Sequence, residues 1–191
     1  MNLDFSIPQL KHFIGGANRL KFCKQAYIEL YPWSARIAIG LPAALCLRFK
    51  CNRLDWQVLL VVELCRELFP VLSEVECLEI NGDPNLPLES QVDMGPLQWL
   101  KLFHPFPAVQ GLYISKKLGS HIAHAFQVLT RERVTEVLPL LHILSFGGLK
   151  PYEAIQGITE PFVASCQLSG DPIVVTRWDQ DLHWDPVDDD W

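Results

Sequence analysis

Two histidines, His121 and His124, stand three residues apart in a stretch that reads as a helix, so their rings share one face. Such a pair can begin a metal site. A zinc site needs further ligands from neighbouring elements, none is indicated, and the expectation is no bound metal. Asp185, Asp188, Asp189 and Asp190 are acidic enough to attract a hard cation. They lack the Gly turn and the bidentate acid at fixed offsets that a calcium loop uses, and they read as a solvated tail. The cysteines Cys23, Cys46, Cys51, Cys65, Cys77 and Cys166 show no CxxC pairing, which suggests reduced, mostly buried thiols. A hydrolase using a Cys or Ser with His stays open as an alternative, because the members of such a set need not be adjacent in sequence. No cysteine sits in a nucleophile turn. No two acidic residues fall where burial would split their pKa values for acid–base work. Gly15-Gly16 and Gly147-Gly148 are isolated pairs, better suited to helix and strand ends than to a phosphate loop. No cofactor is expected.

The chain that would have to position any such groups has 191 residues, enough to bury about 70% of its unfolded surface. Nearly half of them are apolar, which excludes a disordered protein. No apolar run reaches the ~18 residues that a membrane span needs. The start, MNLDFSIPQLKHFIGG, lacks a basic end followed by an apolar stretch, so no secretory leader is expected and the chain reads as cytoplasmic or nuclear. The net charge of −6 is uneven. Residues 1–60 carry eight Lys/Arg against three Asp/Glu, and the other 131 carry eight against nineteen. The basic cluster Lys11, Arg19, Lys21 and Lys24 reads as a solvated face and not as a nucleic-acid site.

The organising pattern is an apolar register that recurs. Leu138, Leu141, Leu144 and Phe146 are spaced three, three and two. Phe106, Val109, Leu112 and Ile114 repeat that spacing, as do Leu72, Val75, Leu78 and Ile80. Leu20, Cys23, Ala26 and Ile28 form a degenerate copy. From Leu78 to Leu112 is 34 positions (112 − 78), and from Leu112 to Leu144 is 32 (144 − 112). Units of this size with one register point to stacked strand–helix repeats.

In chain order, Phe5–Ile14 reads as a short helix and Ala26–Leu30 as a strand. Ala35–Ile39 and Leu45–Cys51 follow as a hairpin around Gly40-Leu41-Pro42, and lengthen one repeat. Asp55–Phe69 is the strongest helix, with Val58, Val61, Val62, Cys65, Leu68 and Phe69 inward. Leu59 and Leu60 widen its apolar stripe; cover by neighbouring repeats is the expectation there, with contact to a partner or to a missing part of the same protein as the alternative. Asn81–Asp93 reads as a loop, with helices over Leu97–Phe103, Ser120–Leu129 and Arg131–Leu138. Gly111–Ser115 and His142–Phe146 are further strands. Lys150–Leu168 is a helix that Pro161 should kink or split, with Ile155, Ile158, Phe162, Val163 and Cys166 inward, and Ile173–Trp178 is a last strand. The fold class expected is α/β: a leucine-rich-repeat-like solenoid of strand–helix units with an N-terminal β-hairpin insertion. It spans residues 1–178, followed by an acidic C-terminal tail, 179–191.

Several segments carry a resemblance. WLKLFHPFPAVQGLYISKKL (Trp99–Leu118), RERVTEVLP (Arg131–Pro139), FVASCQLSGDPIVVTRWD (Phe162–Asp179) and Asp55-Trp56-Gln57 resemble the C-terminal leucine-rich-repeat-like region of fungal F-box domain-containing proteins. The resemblance covers most of the chain. It implies a non-enzymatic protein–protein interaction module, similar to the substrate-recognition half of an F-box ubiquitin-ligase receptor. In such receptors the F-box docks on a Skp adaptor and the repeats hold a client protein. Residues 1–50 contain no F-box pattern, so a Skp adaptor is expected as a partner only if an F-box lies upstream. A fragment, a stand-alone repeat protein and a truncated remnant without its own function all fit this departure. Neither nucleic acid nor membrane is implied as a partner.

In a stacked arrangement, strand residues between the inward positions form one continuous outer face. Tyr27, Glu29, Glu79, Asn81, Tyr113, Ser115, Ile143 and Ser145 are expected there, the last six as contacts to an unknown client protein, with a merely solvated face or cover by a terminus as the alternative.

Overall fold

The apolar register corresponds to a repeated turn. In the computed structural model, the N–H groups of Cys23, Val75, Val109 and Leu141 donate to the carbonyls of Leu20, Leu72, Phe106 and Leu138, at 3.2, 3.1, 3.3 and 3.2 Å. The first spacing of three is therefore one hydrogen-bonded turn, and it delivers each chain segment into a strand. The described residues are 20, 22–40, 42–87, 95–128, 137–148, 152–168 and 172–178.

Seven strands form one mixed sheet: β1 Gln25–Leu30, β2 Ser34–Ile39, β3 Leu45–Lys50, β4 Cys77–Gly82, β5 Gly111–Ile114, β6 Ile143–Gly147 and β7 Val174–Trp178. Their order is β3-β2-β1-β4-β5-β6-β7. β1, β4, β5, β6 and β7 are parallel neighbours, and β1-β2-β3 is an antiparallel meander. β4, β5 and β6 are each entered through the same backbone clamp. The Lys24 carbonyl accepts from the N–H groups of Glu76 and Cys77, the Glu76 carbonyl from Gln110 and Gly111, and the Gln110 carbonyl from His142 and Ile143. The equivalent carbonyl of His142 accepts from Val174 at 2.8 Å.

Five helices occur among the described residues: α1 Leu54–Glu67, α2 Phe69–Leu72, α3 Pro96–Lys101, α4 Lys116–Gln127 and α5 Tyr152–Leu168. Parallel strands are added in chain order on one side, and crossovers share one hand. The helices therefore cover a single face of the sheet. On that face the register stacks Ala26, Leu78, Leu112 and Leu144 in one row, and Ile28, Ile80, Ile114 and Phe146 in the next. All eight are buried. An aromatic column ties the helices together: the Phe126 ring stacks on Phe103 at 5.5 Å and on Phe162 at 4.6 Å. Gln57 pins α1 to the hairpin, its Nε2 donating to the carbonyls of Tyr31 at 2.8 Å and Cys51 at 2.6 Å.

The α/β class, the strands and the main helices fall where the sequence places them. Several details differ. The hairpin does not interrupt the stack; it extends the sheet beyond β1 and leaves β3 as an edge. Gly40 turns it with φ +86°, a conformation open to glycine. β4 runs through Asn81 and Gly82, so that part of the expected loop is strand, because both pair with β1. Helix α4 starts at Lys116, four residues early, directly off β5. Pro161 lies inside α5 without splitting it. Phe69 is 46% exposed instead of inward, because α1 ends at Glu67 and the chain restarts as α2. Leu59 is 53% exposed, so neighbouring elements do not cover that side of α1. The expected helices at Phe5–Ile14 and, apart from its last residues, Arg131–Leu138 lie outside the described residues, as does the acidic tail.

Candidate functional site: the open face of the sheet

Period-two alternation sends every second strand residue to the face opposite the helices. Strand register then arranges them in rows. One row runs Cys46–Ala38–Tyr27–Glu79–Tyr113–Ser145–Thr176. Beside it lies Arg48–Arg36–Glu29–Asn81, which resumes at Gly147–Trp178. On the other flank Gln25, Cys77, Gly111, Ile143 and Val174 follow one another.

Of the expected face residues, Tyr27, Glu79, Asn81 and Tyr113 are half-buried, and Ile143 is 40% exposed. Glu79 and Tyr113 are register partners on adjacent strands. Three residues do not present a surface. Ser115 is 2% exposed because it follows the last residue of β5, where its Oγ accepts the Gly82 N–H at 2.8 Å. It closes the end of β4. Ser145 is also 2% exposed; its Oγ hydrogen-bonds Thr176 Oγ1 of β7. Glu29 is buried as well, since Arg36 of β2 reaches its Oε2 at 3.0 Å and the Tyr31 hydroxyl donates to the same oxygen at 3.2 Å.

The sequence reading overlooked Arg36, Trp178 and Val174. Trp178 packs its ring edge-on against Tyr113, centroids 5.7 Å apart, and so closes one end of the face. Arg36 also directs Nε at Cys46 Sγ, 3.1 Å away. Val174 is 58% exposed beside Ile143 and gives the flank an apolar edge. The strand alternation in Ile173–Trp178 carried the signal for Trp178 and Val174.

The electrostatics favour hydrogen bonding over acid–base chemistry. Burial, with Glu79 and Cys77 beside it, pushes the Tyr27 phenol up to about 12. Burial and the same neighbours raise Tyr113, and burial with Glu29 raises Tyr31. All three phenols therefore stay protonated donors at neutral pH. Asn81 Nδ2 donates to Glu79 Oε1 at 2.5 Å, and the Tyr27 hydroxyl to Gln25 Oε1 at 3.1 Å. Burial pushes Cys65 up, and burial with Glu79 takes Cys77 to about 11, so neither is a thiolate nucleophile.

His121 and His124 share α4; burial lowers His121, and His124 Nδ1 lies 3.0 Å from Gln127 Oε1. Among the described residues no three His, Cys, Asp or Glu side chains converge as metal ligands, and no helix is long and apolar enough to cross a membrane. On the helix side a cleft of about 350 Å³ lies between α1 and α3, lined by Val62, Arg66, Phe69, Lys101, His104 and Pro105. Compared with protein-family models, curated proteins and solved structures, the chain has no match.

Proposed function

We propose that this chain is a non-enzymatic protein-recognition module: a short leucine-rich-repeat-like solenoid whose open sheet face holds a segment of a client protein. The turn and clamp repeated from Leu20 to Leu138 support the solenoid reading. The row Tyr27–Glu79–Tyr113 carries the functional one. It sets two phenols and a carboxylate side by side at about 4.8 Å per strand, next to the exposed Ile143 and Val174. Aromatic groups with a polar tip, beside an apolar flank, are the composition of recognition surfaces. The resemblance to the repeat half of F-box receptors points the same way, with a Skp adaptor joining only through an F-box upstream, and with the cytoplasm or nucleus as the place of action.

The test is comparative enrichment from lysate with the native chain and with the Tyr113→Ala/Glu79→Ala variant, after circular dichroism shows both folded. Client proteins held by the native chain should drop out with the variant. An unchanged profile would remove the open face as the client site and turn attention to the exposed Leu59 side of α1.

A further inference from the structure

The sheet ends on β3, which has no strand on its outer side among the described residues. The ladder fixes where its backbone groups point. Just beyond the Ser34–Lys50 partners, the Cys51 N–H donates to the Trp33 carbonyl at 2.9 Å. Opposed residues of an antiparallel pair are bonded and non-bonded in turn. The register therefore bonds Phe49 to Ala35, Leu47 to Ile37 and Leu45 to Ile39. It turns the N–H and C=O groups of Cys46, Arg48 and Lys50 outward, to the free edge. These three residues are exposed, and their side chains lie on the open face of the sheet. Arg48 has Arg36 as its register partner, and Arg36 is held by Glu29 on its inner side at 3.0 Å. Arg48 thus stands beside a like charge. Neither Arg48 nor Lys50 makes an ion pair among the described residues. On the helix side of the same edge, Leu47 is half-buried against the core.

We propose that the β3 edge takes up an extended segment of a partner protein, acidic at alternate positions and apolar between them, as a further antiparallel strand of the sheet. The outward backbone groups of Cys46, Arg48 and Lys50 supply the ladder, and the alternating side chains supply the selection. An acid one strand interval outside Arg48, about 4.8 Å away, completes the row acid–Arg48–Arg36–Glu29, in which each cation has an acidic neighbour. The apolar residues of the segment then lie beside Leu47. A second copy of this chain fits badly, because antiparallel pairing of β3 with itself brings the cations of both edges together on one face. Basic side chains on an edge keep like edges apart and admit an acidic strand. The edge is separate from the Tyr27–Glu79–Tyr113 row, and its occupation does not depend on a client there.

The experiment uses the full chain and a short fluorescein-labelled peptide of alternating Glu and Val, with binding read by fluorescence anisotropy. Binding should saturate. Hydrogen exchange of the complex should show new protection at the amides of Cys46, Arg48 and Lys50, while those of Leu45, Leu47 and Phe49, already bonded to β2, stay unchanged. Arg48→Glu with Lys50→Glu, once circular dichroism shows the variant folded, should weaken binding about tenfold, because two attractive cross-strand pairs become repulsive. The same variant should bind a peptide of alternating Lys and Val instead. Opposed strand residues share a face, so the amides of the peptide's Glu residues are the ones that meet β3. Methylating those amides should abolish binding, and methylating the Val amides should leave it intact. No binding by the native chain, an affinity indifferent to the charge reversal, or equal effects of the two methylations would overturn strand addition at this edge. So would a dimer of the native chain in sedimentation that the charge reversal dissolves, since a second copy would then hold the edge. No client takes part, so failure here leaves the client reading standing, and failure of client enrichment leaves the edge site standing.

Discussion

Leu112→Ala tests the row architecture at its centre. Leu112 is fully buried on the helix face of β5, with Leu78 and Leu144 as its register partners on either side. Truncation removes roughly three methylene equivalents, about 2.4 kcal/mol of transfer free energy. The vacated space adds about 1–2 kcal/mol if it stays open. Here it stays open, because Leu78 and Leu144 sit on hydrogen-bonded strands that cannot close in without breaking the ladder. The loss should therefore be about 3–4 kcal/mol. Tyr113 is the adjacent residue, yet it faces the other way and is half-buried. Tyr113→Ala gives up partial burial and the edge-on contact with Trp178, about 1–2 kcal/mol. Urea denaturation of the three proteins, followed by circular dichroism, measures both losses as midpoint shifts at constant slope. A Tyr113→Ala loss as large as that of Leu112→Ala would show that the two faces are not divided as described.

Arg36→Met should cost about 2–4 kcal/mol, because it strands Glu29 in a buried position, and adding Glu29→Gln should recover much of it; denaturation midpoints give both values. Tyr27 holds its proton to about pH 12 when folded but to about 10 when unfolded. Its contribution to stability is thus complete below pH 10 and disappears as pH rises towards 12, and Tyr27→Phe should flatten that alkaline decline in midpoint-versus-pH curves. None of the six cysteines forms a disulfide; thiol titration of the native protein should label the exposed Cys46 first and Cys65 last, and a denatured sample without reductant should yield all six.

What was legible beforehand follows from what is local. The three-three-two register was readable because its turn and its strand are built from consecutive residues, and Leu78, Leu112 and Leu144 align when such units stack. The hairpin at Gly40 was legible for the same reason. The exposure of Leu59 and Phe69 was not, since an apolar side chain on a helix records no partner, and only the placing of α3 beside α1 shows which side stays uncovered. Ser115 and Ser145 were misjudged for a related reason. Alternation assigns a direction to a side chain, but whether that direction meets solvent depends on Gly82 and Thr176, which lie 33 and 31 residues away. Arg36 was missed because its value lies in Glu29, on another strand.

The division of the sheet into two faces has a consequence for how the molecule can vary. The clamp that sets the register uses only backbone groups, from Lys24 through Glu76 and Gln110 to His142. Open-face side chains take no part in it, and the buried rows on the helix face supply the hydrophobic stabilisation. Substituting Glu79, Tyr113 or Ile143 therefore changes what the face offers at fixed positions while the scaffold keeps its spacing. The Glu29–Arg36 pair is a charged exception, because it is buried on the open side and couples surface chemistry to stability. It joins the meander to the first parallel strand, so loss of that pair should loosen β2 and β3 before it disturbs β4, β5 and β6. Hydrogen exchange of the Arg36→Met variant would read this directly: amides of β2 should lose protection while those of β5 keep it. Uniform loss across all strands would mean that the meander and the parallel stack unfold as one unit.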